Sequence, residues 1–139
     1  MKILGIDYGD ARTGLSVSDP TGMLAGSPSV IAEWNRDKLL DKLVAYIKDN
    51  RIEEIVLGLP RNMDGTEGFQ SQKVRALAEQ LEKAGLNILY QDERLTTVTA
   101  ERALIEGGMH RQERRGTVDK VAAAVILQQY LDTLRHQQG

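Results

Sequence analysis

ILGIDYGDARTGLSVSD, residues 3–19, places two short apolar runs on either side of a glycine-rich link. Residues 2–8 form the first expected strand and residues 15–18 the second, with Leu15 and Val17 on one face. The link GDARTG, residues 9–14, suits a hairpin because Gly and Asp supply turn geometry. One residue breaks the pattern. Asp7 puts a carboxylate at the end of a strand that is otherwise apolar, between Gly5 and Gly9. Such an acid can ligate a metal, abut a nucleotide phosphate or cap a turn.

Working outward, Asp19-Pro20-Thr21-Gly22 is a second turn. Residues 23–31 give a third strand, broken or bulged near Gly26 and Pro28, so the chain opens as a three-strand meander. The period then changes. Leu39, Leu40, Leu43, Val44 and Ile47 recur at helical spacing, with Asn35 as N-cap. Lys38 stands where a capping box would need Glu. Residues 54–58 form a short buried strand, followed by Leu59-Pro60 and a polar loop to Gly65. A helix over 67–84 turns Val74, Leu77, Ala78 and Leu81 inward and stops at Gly85. Residues 86–90 form the fifth strand and 97–106 a short helix. GGMHRQERRG, 107–116, lacks periodicity and is expected to be a mobile loop. Thr117 then caps the last helix, which carries Val121, Ala122, Val125 and Ile126 inward and frays from His136. The order βββ, α, β, α, β, α, α predicts an α/β fold: a mixed five-stranded sheet with helices on both faces.

The 139 residues fit one domain spanning 1–139. Apolar content of 41% and charged content of 27% are ordinary for a globular protein. Cysteine is absent, which excludes disulfides and thiolate metal ligands and fits a reducing compartment. Residues 1–9 hold Asp7 and no long apolar run, so neither a signal peptide nor a membrane span is expected, and a cytoplasmic location is. The formal net charge of −2, from 18 Lys+Arg and 20 Asp+Glu, argues against passive coating of nucleic acid. It leaves room for an enzyme that grips nucleic acid locally.

Ligands of such sheets gather beyond the carboxyl ends of strands. Asp7, Gly58-Leu59-Pro60 and Asp92-Glu93 all fall at those ends. Phosphodiester hydrolysis needs an activated water and a stabilised leaving oxygen, which two Mg²⁺ or Mn²⁺ ions about 4 Å apart supply. Hard carboxylate oxygens suit these ions. Asp7, an acid from the fifth strand and Asp119 in the last helix are the candidate set, and strand alternation leaves Asp92 and Glu93 both open. The plainer alternatives are a turn role for Asp7, a surface pair of Glu93 with Arg94, and a helix-dipole role for Asp119. Asp10, Asp64 and Glu67 are turn or cap residues by default. His110 and His136 lack the clustered spacing of a zinc site, and no GxxxxGK[ST] phosphate loop occurs.

GIDYGDARTG at 5–14, GLPRNMDGT at 58–66, DERLTT at 92–97 and GTVDKVAAAVIL at 116–127 resemble, in order and spacing, the YqgF family, also called RuvX. These are pre-16S rRNA nuclease and Holliday junction resolvase-like proteins. The resemblance implies a ribonuclease H-like fold, an acidic site of Asp7, Glu93 and Asp119, bound Mg²⁺ or Mn²⁺, and a nuclease acting in maturation of the 5′ end of precursor 16S rRNA. Structured RNA is then the expected partner and branched DNA the alternative, with the protein a monomer or homodimer. Arg12 and Thr13, in the turn after Asp7, and Arg94 beside Glu93 are candidate phosphate contacts. Arg111, Arg114, Arg115 and Lys120 make 107–120 a basic clamp for the backbone, and Asn62 can position substrate. Aromatics are few, with Trp34, Phe69 and four tyrosines, and they form no aromatic and basic stripe for stacking bases. Two rivals remain: an actin-like or sugar-kinase-like nucleotide-binding domain, which would need a second lobe, and a non-catalytic RNA-binding maturation factor.

Overall fold

A computed structural model describes residues 2–26, 28–60, 64–92 and 111–138, with side chains described over 122–136 in the last of these segments. β1 (Ile3–Asp7) is buried along its whole length and forms the middle of the sheet. β2 (Arg12–Val17) and β3 (Ser29–Ala32) follow it as an antiparallel meander. β4 (Glu54–Leu59) and β5 (Ile88–Asp92) add in parallel on the other side, giving the order β3-β2-β1-β4-β5. The expected mixed five-stranded sheet is therefore present, with helices on both faces in a ribonuclease H-like arrangement.

The two-residue period of the strands divides the core into two layers. Leu4, Ile6, Leu15, Ile55, Leu57 and Leu59 point to one face. There they meet Leu39, Leu43 and Ile47 of α1 (Arg36–Asp49) and Val74, Leu77 and Leu81 of α2 (Phe69–Lys83). Ile3 and Val56 point to the other face and pack against Ala122, Ile126, Leu127 and Leu131 of α3 (Arg111–Gln138). Each fully buried Leu or Ile contributes about 1.5–3 kcal/mol, so each layer is held chiefly by its apolar stripe.

Local signals explain the helix ends. Asn35 Oδ1 accepts from the Lys38 amide at 3.1 Å, the expected N-cap bond. Gly85, with φ of 88°, ends α2 in a Schellman turn. The Leu86 amide donates to the Leu81 carbonyl at 3.2 Å and the Gly85 amide to Glu82 at 2.9 Å. That turn absorbs Leu86 and Asn87, so β5 starts at Ile88 rather than 86. The third strand breaks where expected: Ser18 and Ala25 form an isolated bridge before β3 begins at Ser29.

Two further boundaries differ from the sequence expectation. β1 ends at Asp7 and β2 begins at Arg12, so residues 8–11 form the link. α3 begins at Arg111, where a loop was expected up to 116, and continues past His136 to Gln138. Residues 111–115 lack apolar periodicity, but Arg, Gln and Glu have high intrinsic helix propensity. Gly116 costs only about 1 kcal/mol inside a helix that continues on both sides. Thr117 is thus interior to α3 and not its cap. The helix expected at 97–106 and residues 107–110 lie outside the described residues.

Candidate active site

Asp7 is the last residue of β1 and only 7% exposed. Alternation puts it with Ile3 and Gly5 on the α3 face of the sheet. Its antiparallel partner on β2 is Gly14. On β4, Leu57 pairs with Ile6, so the next residue, Gly58, runs beside Asp7. Both strands flanking Asp7 thus carry glycine at its level. At that level neither neighbouring strand places a side chain beside the carboxylate. The sequence shows these glycines, but only the strand register brings them beside Asp7.

α3 crosses this face in close contact. A Cβ added at Gly5 would lie 2.8 Å from Leu127 Cβ and 3.0 Å from the Ala123 carbonyl oxygen. The Tyr130 hydroxyl donates to Glu54 Oε2 at 3.4 Å, at the level of Ile3, which pairs with Glu54. Burial and the Glu54 carboxylate push the Tyr130 hydroxyl above its ordinary pKa. α3 therefore runs antiparallel to β1, from Asp7's end toward Ile3. Two residues along a strand advance about 6.6 Å, and four along a helix about 6 Å. Moving from Gly5 to Asp7 on β1 corresponds to moving from Ala123 to position 119 on α3. The backbone of residue 119 thus lies at Asp7's level, nine residues into the helix counting from Arg111 rather than near its start.

Asp92 ends β5 and pairs with Leu59, whose side chain lies in the α1 and α2 core. Parallel partners share a face, so Asp92 lies on the opposite side of the sheet from Asp7. Gln91, paired with Gly58, shares Asp7's face. Glu93, Arg94 and Asn62 lie outside the described residues. Arg111, Arg114, Arg115, Asp119 and Lys120 belong to α3, and their side chains are not among those described. Among the described residues no group of three or more His, Asp or Glu side chains gathers as a metal site; the side chains of 93 and 119 are not among them.

Arg12 and Thr13 are strand residues and not turn residues. Arg12, two residues before Gly14, shares Asp7's face and is half-buried. Thr13 shares the face of Leu15, is fully buried, and its Oγ1 has no hydrogen-bond partner among the described residues. The hydroxyl does not reach the surface. Tyr8 also packs toward the α1 and α2 layer.

The hairpin after Asp7 is pinned from two sides. A Cβ at Gly9 would come within 2.3 Å of the Arg12 carbonyl oxygen, so this turn requires glycine. Lys73 Nζ pairs with Asp10 Oδ1 at 3.0 Å, and Gln70 Nε2 donates to the Tyr8 carbonyl at 3.4 Å. The Ser71 hydroxyl donates to the Pro60 carbonyl, tying α2 to the end of β4. On the far side the Glu33 amide donates to the Ala11 carbonyl at 3.0 Å. Asp64 and Glu67 keep local roles: Asp64 Oδ1 accepts from the Thr66 amide at 2.9 Å, and Glu67 pairs with Arg75. The Glu67 carboxylate raises the Arg75 guanidinium above its ordinary pKa.

A buried acid at the carboxyl end of the middle strand, beside a crossing helix, marks a ribonuclease H-like α/β protein. The family model described as "RuvX: Holliday junction resolvase" matches residues 1–133, and the chain belongs to that family. A Halothermothrix orenii protein named "Putative pre-16S rRNA nuclease" is 43% identical over 133 residues, covering 95% of each chain. Among solved structures, T. thermophilus RuvC in complex with a Holliday junction substrate superposes with a TM-score of 0.56 at 13% identity, covering 91% of each chain. The fowlpox virus resolvase bound to Holliday junction DNA gives 0.55 at 10% identity, covering 96% of this chain and 99% of that one. At such low identity these two likenesses speak for the fold alone.

Proposed function

We propose that residues 1–139 form one nuclease domain that hydrolyses phosphodiester bonds in the 5′ region of precursor 16S rRNA. The observation that carries this reading is Asp7, buried at the end of the middle strand with Gly14 and Gly58 on either side. Membership of the RuvX family and the name of the 43% identical relative support the substrate class.

Asp7, Glu93 and Asp119 are the acids of the site. The backbone level of residue 119 supports its membership, and the position of Asp92 on the opposite face favours Glu93, the next residue in sequence, over Asp92. The donor set fits a hard divalent cation: carboxylate oxygens, no thiol, and glycine in place of a side chain on each strand flanking Asp7. Asp7, Glu93 and Asp119 would hold Mg²⁺ or Mn²⁺, which when bound supplies charge neutralisation and a nucleophilic water. The chain's own groups do the remainder. Arg12, on Asp7's face, takes the phosphate next to the one cleaved. Asn62 and Arg94 orient the strand, and Arg111, Arg114, Arg115 and Lys120 neutralise backbone phosphates. Thr13 serves packing. The proposed site of action is the cytoplasm, where ribosomal RNA precursors are processed; no described helix is long and apolar enough to cross a membrane.

A second reading takes four-way DNA as substrate, favoured by the description of the family model. A symmetric junction would call for a homodimer, a single RNA strand for a monomer. Cleavage of precursor 16S RNA and of a four-way junction under Mn²⁺ separates the two. Site-specific cleavage of the RNA with the junction intact is expected. Cleavage of the junction alone would replace the first reading with the second.

A further inference from the structure

The chain has one tryptophan and one phenylalanine, and neither is in the core. Trp34 is 79% exposed and Phe69 74% exposed. Burial of either ring would stabilise the fold strongly. Both lie instead at the same edge of the sheet as Asp7. Trp34 follows β3, whose last residue Ala32 pairs with Arg12 at the start of β2. Its neighbour Glu33 is bonded through its amide to Ala11. Phe69 opens α2, and the next residue, Gln70, donates to the Tyr8 carbonyl. Lys73 Nζ sits 4.9 Å from the Phe69 ring centroid while pairing with Asp10. Each ring is thus tied to the four residues that follow Asp7, one from the β3 side and one from the α2 side.

Charge at this rim suits a polyanion. Three acids near the rings are paired with cations, Asp10 with Lys73, Glu33 with Lys42 at 2.9 Å and Glu67 with Arg75, while Asp37 stands exposed in the first turn of α1. Lys42 also holds the Glu33 carboxyl below its ordinary pKa. Arg36 and Lys38 stand exposed in the first turn of α1, next to Trp34. Exposed aromatic faces interleaved with cations stack unpaired bases and are tolerant of sequence. Paired bases keep their faces within the duplex and cannot use them. The sequence showed no such stripe because the two rings are 35 residues apart; the hairpin after Asp7 brings them to one rim.

We propose that Trp34 and Phe69 stack unpaired bases on either side of the cleaved phosphate, so that the site selects single-stranded segments of its nucleic acid. The proposal rests on the nuclease reading above and adds the strandedness of the substrate and the residues that read it.

Trp34 is the sole tryptophan, so its fluorescence reports the rim directly. The Asp7→Asn variant, with Mn²⁺, is titrated with a single-stranded oligoribonucleotide and with the same strand annealed into a duplex. Saturable quenching by the single strand and at least tenfold weaker binding of the duplex are expected. Phe69→Ala and Trp34→Ala, the latter followed by anisotropy of a labelled strand, should each weaken single-strand binding roughly 5- to 150-fold. Trp34→Tyr should restore most of it. Unchanged fluorescence on binding, equal affinity for the duplex, or alanine variants that bind like the parent would each overturn the proposal. Wild-type cleavage of precursor RNA is scored separately. Its failure counts against the nuclease reading and leaves the stacking measurement to stand or fall by itself.

Discussion

Gly5→Ala isolates the contact that sets α3 against the sheet. The new Cβ would lie 2.8 Å from Leu127 Cβ and 3.0 Å from the Ala123 carbonyl oxygen. Carbon pairs prefer about 3.5–4.0 Å, so relief requires a shift of roughly 1 Å. Neither obstructing atom is the end of a flexible side chain, so the shift must come from the helix itself. Overpacking of this kind costs about 1–3 kcal/mol. Replacing a strand glycine otherwise stabilises by about 0.5–1 kcal/mol. The clash wins, leaving a net loss of about 1–2 kcal/mol. With an unfolding entropy of about 2.1 cal/mol/K per residue, the Tm of this chain should fall by about 3–7 °C. Function should suffer more than stability. Residue 119 lies one turn before Ala123 on the displaced helix, and a misplacement of about 1 Å can cost about 100-fold in rate. Thermal unfolding, with Mn²⁺-dependent cleavage measured well below the transition, reads both effects. A Gly5→Ala protein as stable and as active as wild type would refute the close packing of α3 on β1.

Other expectations follow from particular residues. Thr13→Val removes a buried hydroxyl with no partner among the described residues, so urea denaturation should show stabilisation of about 1–2 kcal/mol with cleavage retained. Gly85→Ala forces a side chain into a left-handed turn and should cost about 1–2 kcal/mol by the same measurement. Changing Arg114 and Arg115 to Gln should lower the slope of log affinity against log salt by about 1.4–1.8, weakening single strands and duplexes alike. The Thr21 hydroxyl, with the Leu24 and Met23 amides, holds the Asp19 carboxyl below its ordinary pKa. A depressed carboxyl stabilises above the unfolded-state pKa and loses that contribution as pH falls through the folded value. Asp19→Asn should therefore flatten the acid limb of stability against pH.

Much of this architecture was legible because apolar period and turn chemistry agree. Leu39, Leu43 and Ile47 repeat at helical spacing and are buried, Asn35 caps α1, and Gly85 ends α2. The place of Asp7 was legible too: the sequence puts a carboxylate at the close of an apolar strand, and it is buried at the end of β1. What escaped depends on register or on tertiary support. Starting β2 at Arg12 rather than 15 sends Arg12 and Thr13 to opposite faces and removes Thr13 from the surface. Gly14 and Gly58 are far apart in sequence, and only the pairing of β1 with β2 and β4 brings them to Asp7. The first turns of α3 carry charge without apolar period, so their helix propensity was hidden behind Gly116. Asp92 and Glu93 looked equivalent until the pairing of β5 with β4 fixed the face of Asp92.

The central claim is that Asp7 belongs to a metal-dependent hydrolytic site. Asp7→Asn keeps the shape of the side chain and removes its charge, so circular dichroism and thermal unfolding should show an intact fold. The decisive measurement is Mn²⁺-dependent cleavage of precursor 16S RNA by the wild type and by Asp7→Asn, side by side. The account predicts site-specific cleavage by the first and none by the second. Cleavage of equal rate and position by the variant would contradict it.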